Sequence, residues 1–91
     1  MAPIGLTLYS RPGCHLCDEM KEIASPVAKE LGCSITEVDI SVDSELQARY
    51  ATEIPVLLVN GRKAFKYRLA ERELRKRLAA ERRGEPSVSI T

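Results

Sequence analysis

Two cysteines separated by two residues, Cys14 and Cys17, have the clearest capacity for chemistry in this 91-residue chain. A third cysteine, Cys33, makes the number odd, so the thiols do not pair into the disulfide framework that stabilises many small secreted proteins. Two thiols at this spacing can exchange electrons through a disulfide, supply two metal ligands, or pack as small apolar groups. The choice among these depends on the elements that hold them.

The cysteine pair lies at the junction of a predicted strand and a predicted helix. Residues 6–10 form a short β-prone run that ends at Pro12-Gly13, a turn signal. From Cys14 onward, apolar residues recur in steps of four, three, four and four, which predicts a helix closed by Gly32 as its C-terminal cap. The apolar stripe comprises Leu16, Met20, Ile23, Val27 and Leu31, widened by Cys17, Ala24 and Ala28.

The position at the start of a helix favours Cys14 as a nucleophile. Its sulfur meets the unpaired backbone N–H groups of the first turn, where the helix dipole favours negative charge. A thiol whose pKa falls from about 8.5 to about 7 is roughly half ionised at neutral pH, instead of roughly 3% ionised. Cys17 lies one turn further on the same face, where it can resolve a mixed disulfide. We therefore predict a redox centre with Cys14 and Cys17 as its catalytic residues.

A structural zinc site is the main rival interpretation of the cysteine pair. The other soft ligands are His15, which is expected to point away from both cysteines, and Cys33, at the far end of a helix about 27 Å long. Because these four groups do not converge, we predict no metal site. His15 is either a modulator that acidifies Cys14 as an imidazolium or simply an exposed helix residue. Cys33 is interpreted as a core or strand-edge packing residue, with a regulatory thiol as the alternative.

The elements after the first helix predict an α/β fold. Residues 33–40 indicate a second strand, and Ser41 or Asp43 can cap a short helix that carries Leu46 and Tyr50 on one side. The predicted order, β-α-β-α-β-β-α, places strands one and two in a right-handed βαβ unit with parallel pairing.

A hairpin and a final helix complete the predicted fold. Asn60-Gly61 lies between strand-like residues 55–59 and 62–67 and favours a type I′ turn, in which both central residues have positive φ. A helix follows from about Ala70 to Arg83, with Leu74 and Leu78 directed inward. The whole is a mixed four-stranded sheet covered by three helices.

Three sequence features together carry a resemblance to a known superfamily: LYSRPGCHLC at residues 8–17, the dipeptide Ile54-Pro55, and Asn60-Gly61. Over nearly all of residues 5–82 the chain resembles the glutaredoxin and thioredoxin superfamily, and most closely its small bacterial glutaredoxin-like members. The resemblance implies a thioredoxin-like βαβαββα fold and a cis peptide bond between Ile54 and Pro55, facing the dithiol. It also implies that Ile54 and Pro55 bind substrate, with the backbone of Ile54 pairing with an extended segment by strand addition.

The same comparison bears on glutathione as a ligand. Arg11 matches the basic residue that meets a glutathione carboxylate in the family, which implies a substrate-binding role. Glu53, however, stands where glutathione-using members have threonine, and YRLAE at residues 67–71 replaces their Gly-Gly-x-Asp-type turn. We therefore expect no bound cofactor, and these two departures weigh against glutathione, which stays open as an alternative.

The predicted function is a thiol-disulfide oxidoreductase acting on protein or small-molecule disulfides. Thioredoxin reductase or a thiol pool such as glutathione is expected to recycle it. The alternative is a thioredoxin-fold binding module with little or no catalysis. We expect a cytoplasmic monomer, because the N-terminus lacks the pattern of an export signal and no apolar run approaches the 20 or so residues of a membrane span.

Charge is distributed unevenly in what we predict to be one domain at residues 1–84, followed by a frayed tail at residues 85–91. Residues 1–59 carry four basic and nine acidic side chains, whereas residues 60–91 carry ten basic and four acidic ones. The basic third contains interspersed glutamates and offers only Phe65 and Tyr67 for base stacking. A solvated amphipathic helix explains this pattern, so we predict neither a nucleic-acid partner nor a membrane partner.

Overall fold

This computed structural model describes residues 3–83 of the chain. They contain four strands and three α-helices in the predicted order. A short 3-10 helix, which the sequence did not predict, follows the second strand at Ile40–Val42. The tail predicted at residues 85–91 lies outside the described residues and stays a prediction. The elements are β1 (Gly5–Ser10), α1 (His15–Glu30), β2 (Ser34–Asp39), α2 (Ser44–Tyr50), β3 (Val56–Val59), β4 (Arg62–Lys66) and α3 (Glu71–Arg82).

The strands form one mixed sheet in the order β2-β1-β3-β4. β1 pairs in parallel with β2 through the crossover helix α1, while β3 is antiparallel to both β1 and β4. Asn60 and Gly61 in the β3–β4 turn have φ values of 49° and 82°, so both occupy the left-handed region that a type I′ turn requires. The predicted sheet and hairpin are therefore confirmed.

Two apolar clusters cover the two faces of the sheet. Leu57 and Val59 of β3 pack with α1 and α3, whereas Val56 and Leu58 pack with Ile40 and with Tyr50 of α2. Because β3 is central and covered on both faces, all four of its residues are buried, which explains its uninterrupted apolar sequence. Cys33 is buried in the first cluster, so its predicted packing role is confirmed.

Helix α1 begins one residue later than the apolar periodicity suggested. Cys14 is its N-cap, with extended backbone angles (φ −89°, ψ 106°), and the first helical residue is His15. The helix continues through Pro26 for 16 residues, and Gly32 follows it with φ 72°, the left-handed conformation expected after a helix C-terminus. The inward face of α1 comprises Cys17, Met20, Ala24, Val27 and Ala28.

A polar network joins α3 to the β3–β4 turn and to the start of β1. Arg77 is 7% exposed, and its Nη1 donates to Glu81 Oε1 at 2.7 Å. Glu81 Oε2 accepts from Asn60 Nδ2 at 2.8 Å, and Asn60 Oδ1 accepts from the Gly5 N–H at 2.9 Å. The hydrogen bond from Arg77, reinforced by the one from Asn60, holds the pKa of Glu81 below its ordinary value. Glu81 is therefore ionised at neutral pH.

Candidate active site

The cysteine loop and the Ile54-Pro55 segment, both predicted to belong to the site, lie at the same end of the sheet. Tyr9 pairs with Val56, so the chain direction places Pro55 beside Ser10, where β1 ends and the chain turns toward Cys14. On the other side of Pro55, the N–H of Tyr67 donates to the Pro55 carbonyl at 2.8 Å. The cysteine loop, the Ile54-Pro55 segment and Tyr67 are thus brought to the same end by adjacent strands.

The two cysteines occupy different environments within this end. They are joined by a disulfide with a Cα–Cα distance of 5.2 Å. Cys14 is half-buried, whereas Cys17 is 1% exposed and belongs to the inward face of α1. The N–H of Cys17 donates to Cys14 Sγ at 3.1 Å, because the N-cap side chain lies over the free N–H groups of the first turn. Cys14 is therefore the outer sulfur and Cys17 the inner one.

The peptide bond between Ile54 and Pro55 is cis, as the family resemblance implied. Pro55 is fully buried. The N–H of Ile54 donates to the Tyr50 carbonyl at 3.1 Å, which continues the last turn of α2. Of the two backbone groups expected at Ile54, the carbonyl alone is left without a hydrogen bond from residues 3–83.

Arg11 lies on the β2 side of the dithiol, in an open hollow of about 320 Å³. Three carboxylates, Asp18, Glu37 and Asp39, line the same hollow, which we call the acidic hollow. Hydrogen bonds from Lys21 and from the buried Ser10 hydroxyl lower the pKa of Glu37, and those from Ser41 lower the pKa of Asp39. The acidic hollow therefore offsets the charge of Arg11 at neutral pH, which weakens Arg11 as an anion-binding group.

His15 lies on the outer face of α1, with 86% of its side chain exposed. Its Nε2 is 2.7 Å from Oε2 of Glu19, one turn further along the helix. This exposure on the outer face of the helix favours the exposed-residue interpretation of His15 over the modulator interpretation.

We expect His15→Gln to change the pKa of the Cys14 thiol by less than about 0.5 unit, since exposed ion pairs contribute little and are screened by salt. The measurement is the pH dependence of Cys14 alkylation in the reduced protein, with Glu19→Gln as the companion variant. A rise of a full unit in the His15→Gln variant would restore the modulator role.

Tyr50 belongs to the second apolar cluster, and Tyr9 packs against it. Their rings stack with centroids 4.7 Å apart, and Tyr50 is buried. The guanidinium of Arg49 and the ammonium of Lys63 lie 5.3 Å and 5.6 Å from the Tyr50 centroid. Lys63 also pairs with Glu53 at 2.6 Å, and this hydrogen bond lowers the pKa of Glu53.

Tyr67 is the site residue that sequence reasoning missed. It has φ 69°, an uncommon conformation for a residue with a side chain, and is 42% exposed. Its N–H bonds to Pro55, and its hydroxyl donates to the Thr52 carbonyl at 2.8 Å, so one residue fastens both ends of the Thr52–Pro55 loop. The sequence does hint at this conformation. Tyr67 begins the segment that replaces the Gly-Gly-x-Asp-type turn of glutathione-using members, and glycine is the residue that adopts positive φ at least cost.

Within residues 3–83, no cluster of three or more histidine, cysteine or acidic side chains has the arrangement of a metal site. Among the helices of the same residues, none is long and apolar enough to cross a membrane.

Comparison with known proteins identifies what this architecture is similar to. The sequence pattern of the family described as Glutaredoxin-like domain (DUF836) matches residues 5–79. The Glutaredoxin-like protein YDR286C homolog of Dictyostelium discoideum is 31% identical over 77 residues, covering 78% of this chain and 71% of that protein. The X-ray structure of the protein XcR50 from X. campestris is 34% identical, with a TM-score of 0.69 over 82% of this chain and 96% of that one.

A more distant structure places the fold in a wider group. The thioredoxin of Fasciola hepatica superposes with a TM-score of 0.60 over 85% of this chain and 79% of that one, at 21% sequence identity. The architecture is therefore thioredoxin-like, as the sequence predicted.

Proposed function

Since the chain belongs to the glutaredoxin-like domain (DUF836) family, we propose that it is a thiol-disulfide oxidoreductase that uses Cys14 as nucleophile and Cys17 as resolving thiol. The thioredoxin-like fold with a Cys14–Cys17 pair at disulfide distance supports this proposal.

The observation that carries the proposal is the hydrogen bond from the Cys17 N–H to Cys14 Sγ. A donor aimed at a sulfur stabilises the thiolate over the neutral thiol, and the dipole of α1 acts in the same direction. The burial of Cys17 has the opposite effect on its own thiol, because an apolar environment disfavours the charged form. Both effects support the proposal of different roles for the two sulfurs.

In the proposed reaction, the Cys14 thiolate attacks one sulfur of a substrate disulfide. A bond forms between Cys14 Sγ and that sulfur, the substrate S–S bond breaks, and the other substrate sulfur leaves as a thiolate that takes a proton from water. Cys17 then loses its proton and attacks Cys14 Sγ, which releases the second substrate thiolate and forms the Cys14–Cys17 disulfide. The substrate gains two electrons, and an external dithiol or thiol pool returns two electrons to the protein.

Protein or small-molecule disulfides are the proposed substrates, with thioredoxin reductase or a thiol pool as the proposed electron source. Glutathione is the weaker candidate for a bound ligand. The carboxylates of the acidic hollow offset Arg11, the residue expected to meet a glutathione carboxylate. This arrangement acts against a tripeptide that carries two carboxylates.

The test is the pH dependence of alkylation of the reduced protein, with mass spectrometry locating the modified sulfur. We expect Cys14 to react first, with a pKa at least one unit below the ordinary thiol value of about 8.5. The same protein in denaturant is the matched control, because it keeps the sequence and loses the helix. A folded-state pKa at or above the ordinary value would contradict the proposal and favour the binding module.

A further inference from the structure

The charge on the two sides of the dithiol has opposite sign. The β2 side holds the acidic hollow, where Asp18, Glu37 and Asp39 outnumber Arg11 and the Lys21 that binds Glu37. The β4 side holds three cations and one exposed aromatic ring, which we call the basic rim: Arg49, Lys63, Lys66 and Tyr67. A partner that covers the dithiol therefore meets acidic groups on one side and basic groups on the other.

The register of the sheet places the basic rim beside the Ile54-Pro55 segment. Lys66 pairs with Val56, the residue that follows Pro55, and Lys63 pairs with Leu58, two residues further along the same strand. The ammonium of Lys66 lies 5.3 Å from the centroid of the Tyr67 ring, and Tyr67 itself binds the Pro55 carbonyl. Lys66 thus lies opposite the residue that follows Pro55, and Lys63 lies further along the same pair of strands. Arg49 of α2 joins them because it lies over the Tyr50 ring together with Lys63.

The charge of the basic rim is not neutralised within the described chain. Glu53 is the carboxylate that pairs with it, and it binds Lys63. Neither Arg49 nor Lys66 forms an ion pair with a carboxylate of residues 3–83. Both side chains rest on aromatic rings, an arrangement that holds a cation in place and leaves its outer side open to a partner.

The exposure of the aromatic rings distinguishes between two classes of anionic partner. A single-stranded nucleic acid requires a row of accessible rings for base stacking. Here Tyr50 is buried and stacked on Tyr9, which leaves Tyr67 as the accessible ring of the basic rim. The free carbonyl of Ile54 instead suits the backbone N–H of an extended polypeptide.

We propose that the basic rim docks an acidic stretch of polypeptide, so that the preferred substrates are protein disulfides with aspartate or glutamate near the reactive cysteine. This inference rests on the proposed oxidoreductase function and specifies the substrate class of the same site. Complementary charge acts mainly by steering encounter and orienting the partner. The acidic hollow adds selectivity. A substrate segment that places basic residues at the basic rim and acidic residues at the acidic hollow is repelled on both sides.

The experiment compares two peptide disulfides of equal length, one rich in glutamate around its cysteine and one rich in lysine. We expect the wild-type protein to favour the acidic peptide by about tenfold in kcat/KM at low ionic strength. The double variant Arg49→Gln/Lys66→Gln should bring this ratio to within about twofold of unity. Added salt should also reduce the wild-type ratio, since the Debye length falls to about 3 Å at 1 M.

The matched control is Lys29→Gln/Lys76→Gln, which removes the same charge from exposed positions in the last turn of α1 and in α3. The control should keep the wild-type ratio. If it loses the preference as the rim variant does, net charge alone is responsible and the proposal is overturned.

Reduction of a neutral low-molecular-weight disulfide distinguishes failure of the docking proposal from failure of the proposed oxidoreductase function. Its reduction by the wild-type protein, together with equal rates for both peptides, overturns the docking proposal alone. Failure to reduce any of the three disulfides removes the proposed function and this inference with it. Inhibition by a single-stranded oligonucleotide that the rim variant relieves, without discrimination between the peptides, would reassign the basic rim to nucleic acid.

Discussion

Replacement of Cys14 by serine is expected to abolish disulfide reduction, with a loss of at least about a thousandfold, because a serine hydroxyl is not ionised at neutral pH and forms no disulfide. Replacement of Cys17 by serine should leave the first step intact and remove the second. That variant should accumulate as a covalent adduct with its substrate through Cys14. Mass spectrometry under non-reducing conditions measures the adduct, and a steady-state reductase assay measures turnover.

Cys33→Ala is the matched control for both variants, since Cys33 is buried in the first apolar cluster, in the segment between the C-terminus of α1 and β2. It should keep the activity of the wild-type protein and lose some stability. Two outcomes would contradict the assignment of roles: activity in the Cys14→Ser protein, or full turnover of protein disulfides by the Cys17→Ser protein.

Glu81→Ala should lower the free energy of unfolding by about 2 to 4 kcal/mol, the largest stability effect that we predict for an ionisable residue. The substitution leaves the guanidinium of Arg77 buried without its carboxylate, although Nη2 of Arg77 already lacks a partner within residues 3–83. It also removes the acceptor for Asn60, the residue that holds the hairpin turn to Gly5. Denaturant unfolding monitored by circular dichroism measures the loss.

A double replacement distinguishes loss of the ion pair from loss of packing. Arg77→Leu/Glu81→Leu removes both charges and should be considerably more stable than Glu81→Ala, because replacement of a buried ion pair by apolar groups is often nearly neutral. Glu71→Ala, which breaks the exposed pair with Arg75 on the same helix, should cost about 1 kcal/mol or less. Equal losses of unfolding free energy in Glu71→Ala and Glu81→Ala would show that burial of the Arg77–Glu81 pair does not change its contribution to stability.

The same network predicts a pH dependence with a defined sign. The pKa of Glu81 is lower in the folded protein than its ordinary value of about 4.3, which it regains on unfolding. Its contribution to stability is therefore present above that ordinary value and is lost as the pH falls through the lowered folded value. Glu81→Ala should lack this part of the acid destabilisation, so the stability difference between the two proteins should shrink as the pH is lowered.

The features that could be predicted from the sequence are those that depend on local pattern. The change from a β-prone run to a helical period at Cys14 locates the cysteine pair, and Asn60-Gly61 specifies the hairpin. The sequence does not predict the 3-10 helix, because its apolar pattern extends the second strand to Ile40, the residue at which that helix begins. In the structure the Asp39 carboxylate accepts from the Ser41 N–H at 2.8 Å and ends the strand.

The features that could not be predicted are interactions between segments. The hydrogen bond from Ile54 to Tyr50 arises only when α2 continues its turn toward Pro55, and no periodicity reports it. Tyr67 adopts positive φ because the Pro55 and Thr52 carbonyls bind it from two sides, which offsets the local cost of that backbone conformation. The division of charge across the dithiol likewise depends on strand order, which brings distant parts of the chain to opposite sides of β1 and β3.

The placement of one sulfur near the surface and its neighbour inside the helix face also has a consequence for exposure to peroxide. Because Cys14 is half-buried and Cys17 is buried, we expect an oxidant to reach Cys14 first and to convert it to a sulfenic acid. Cys17 lies at disulfide distance, so we expect its thiol to displace water from that sulfur and to form the Cys14–Cys17 disulfide. A thiol can reduce this disulfide, whereas a sulfinic acid is irreversible.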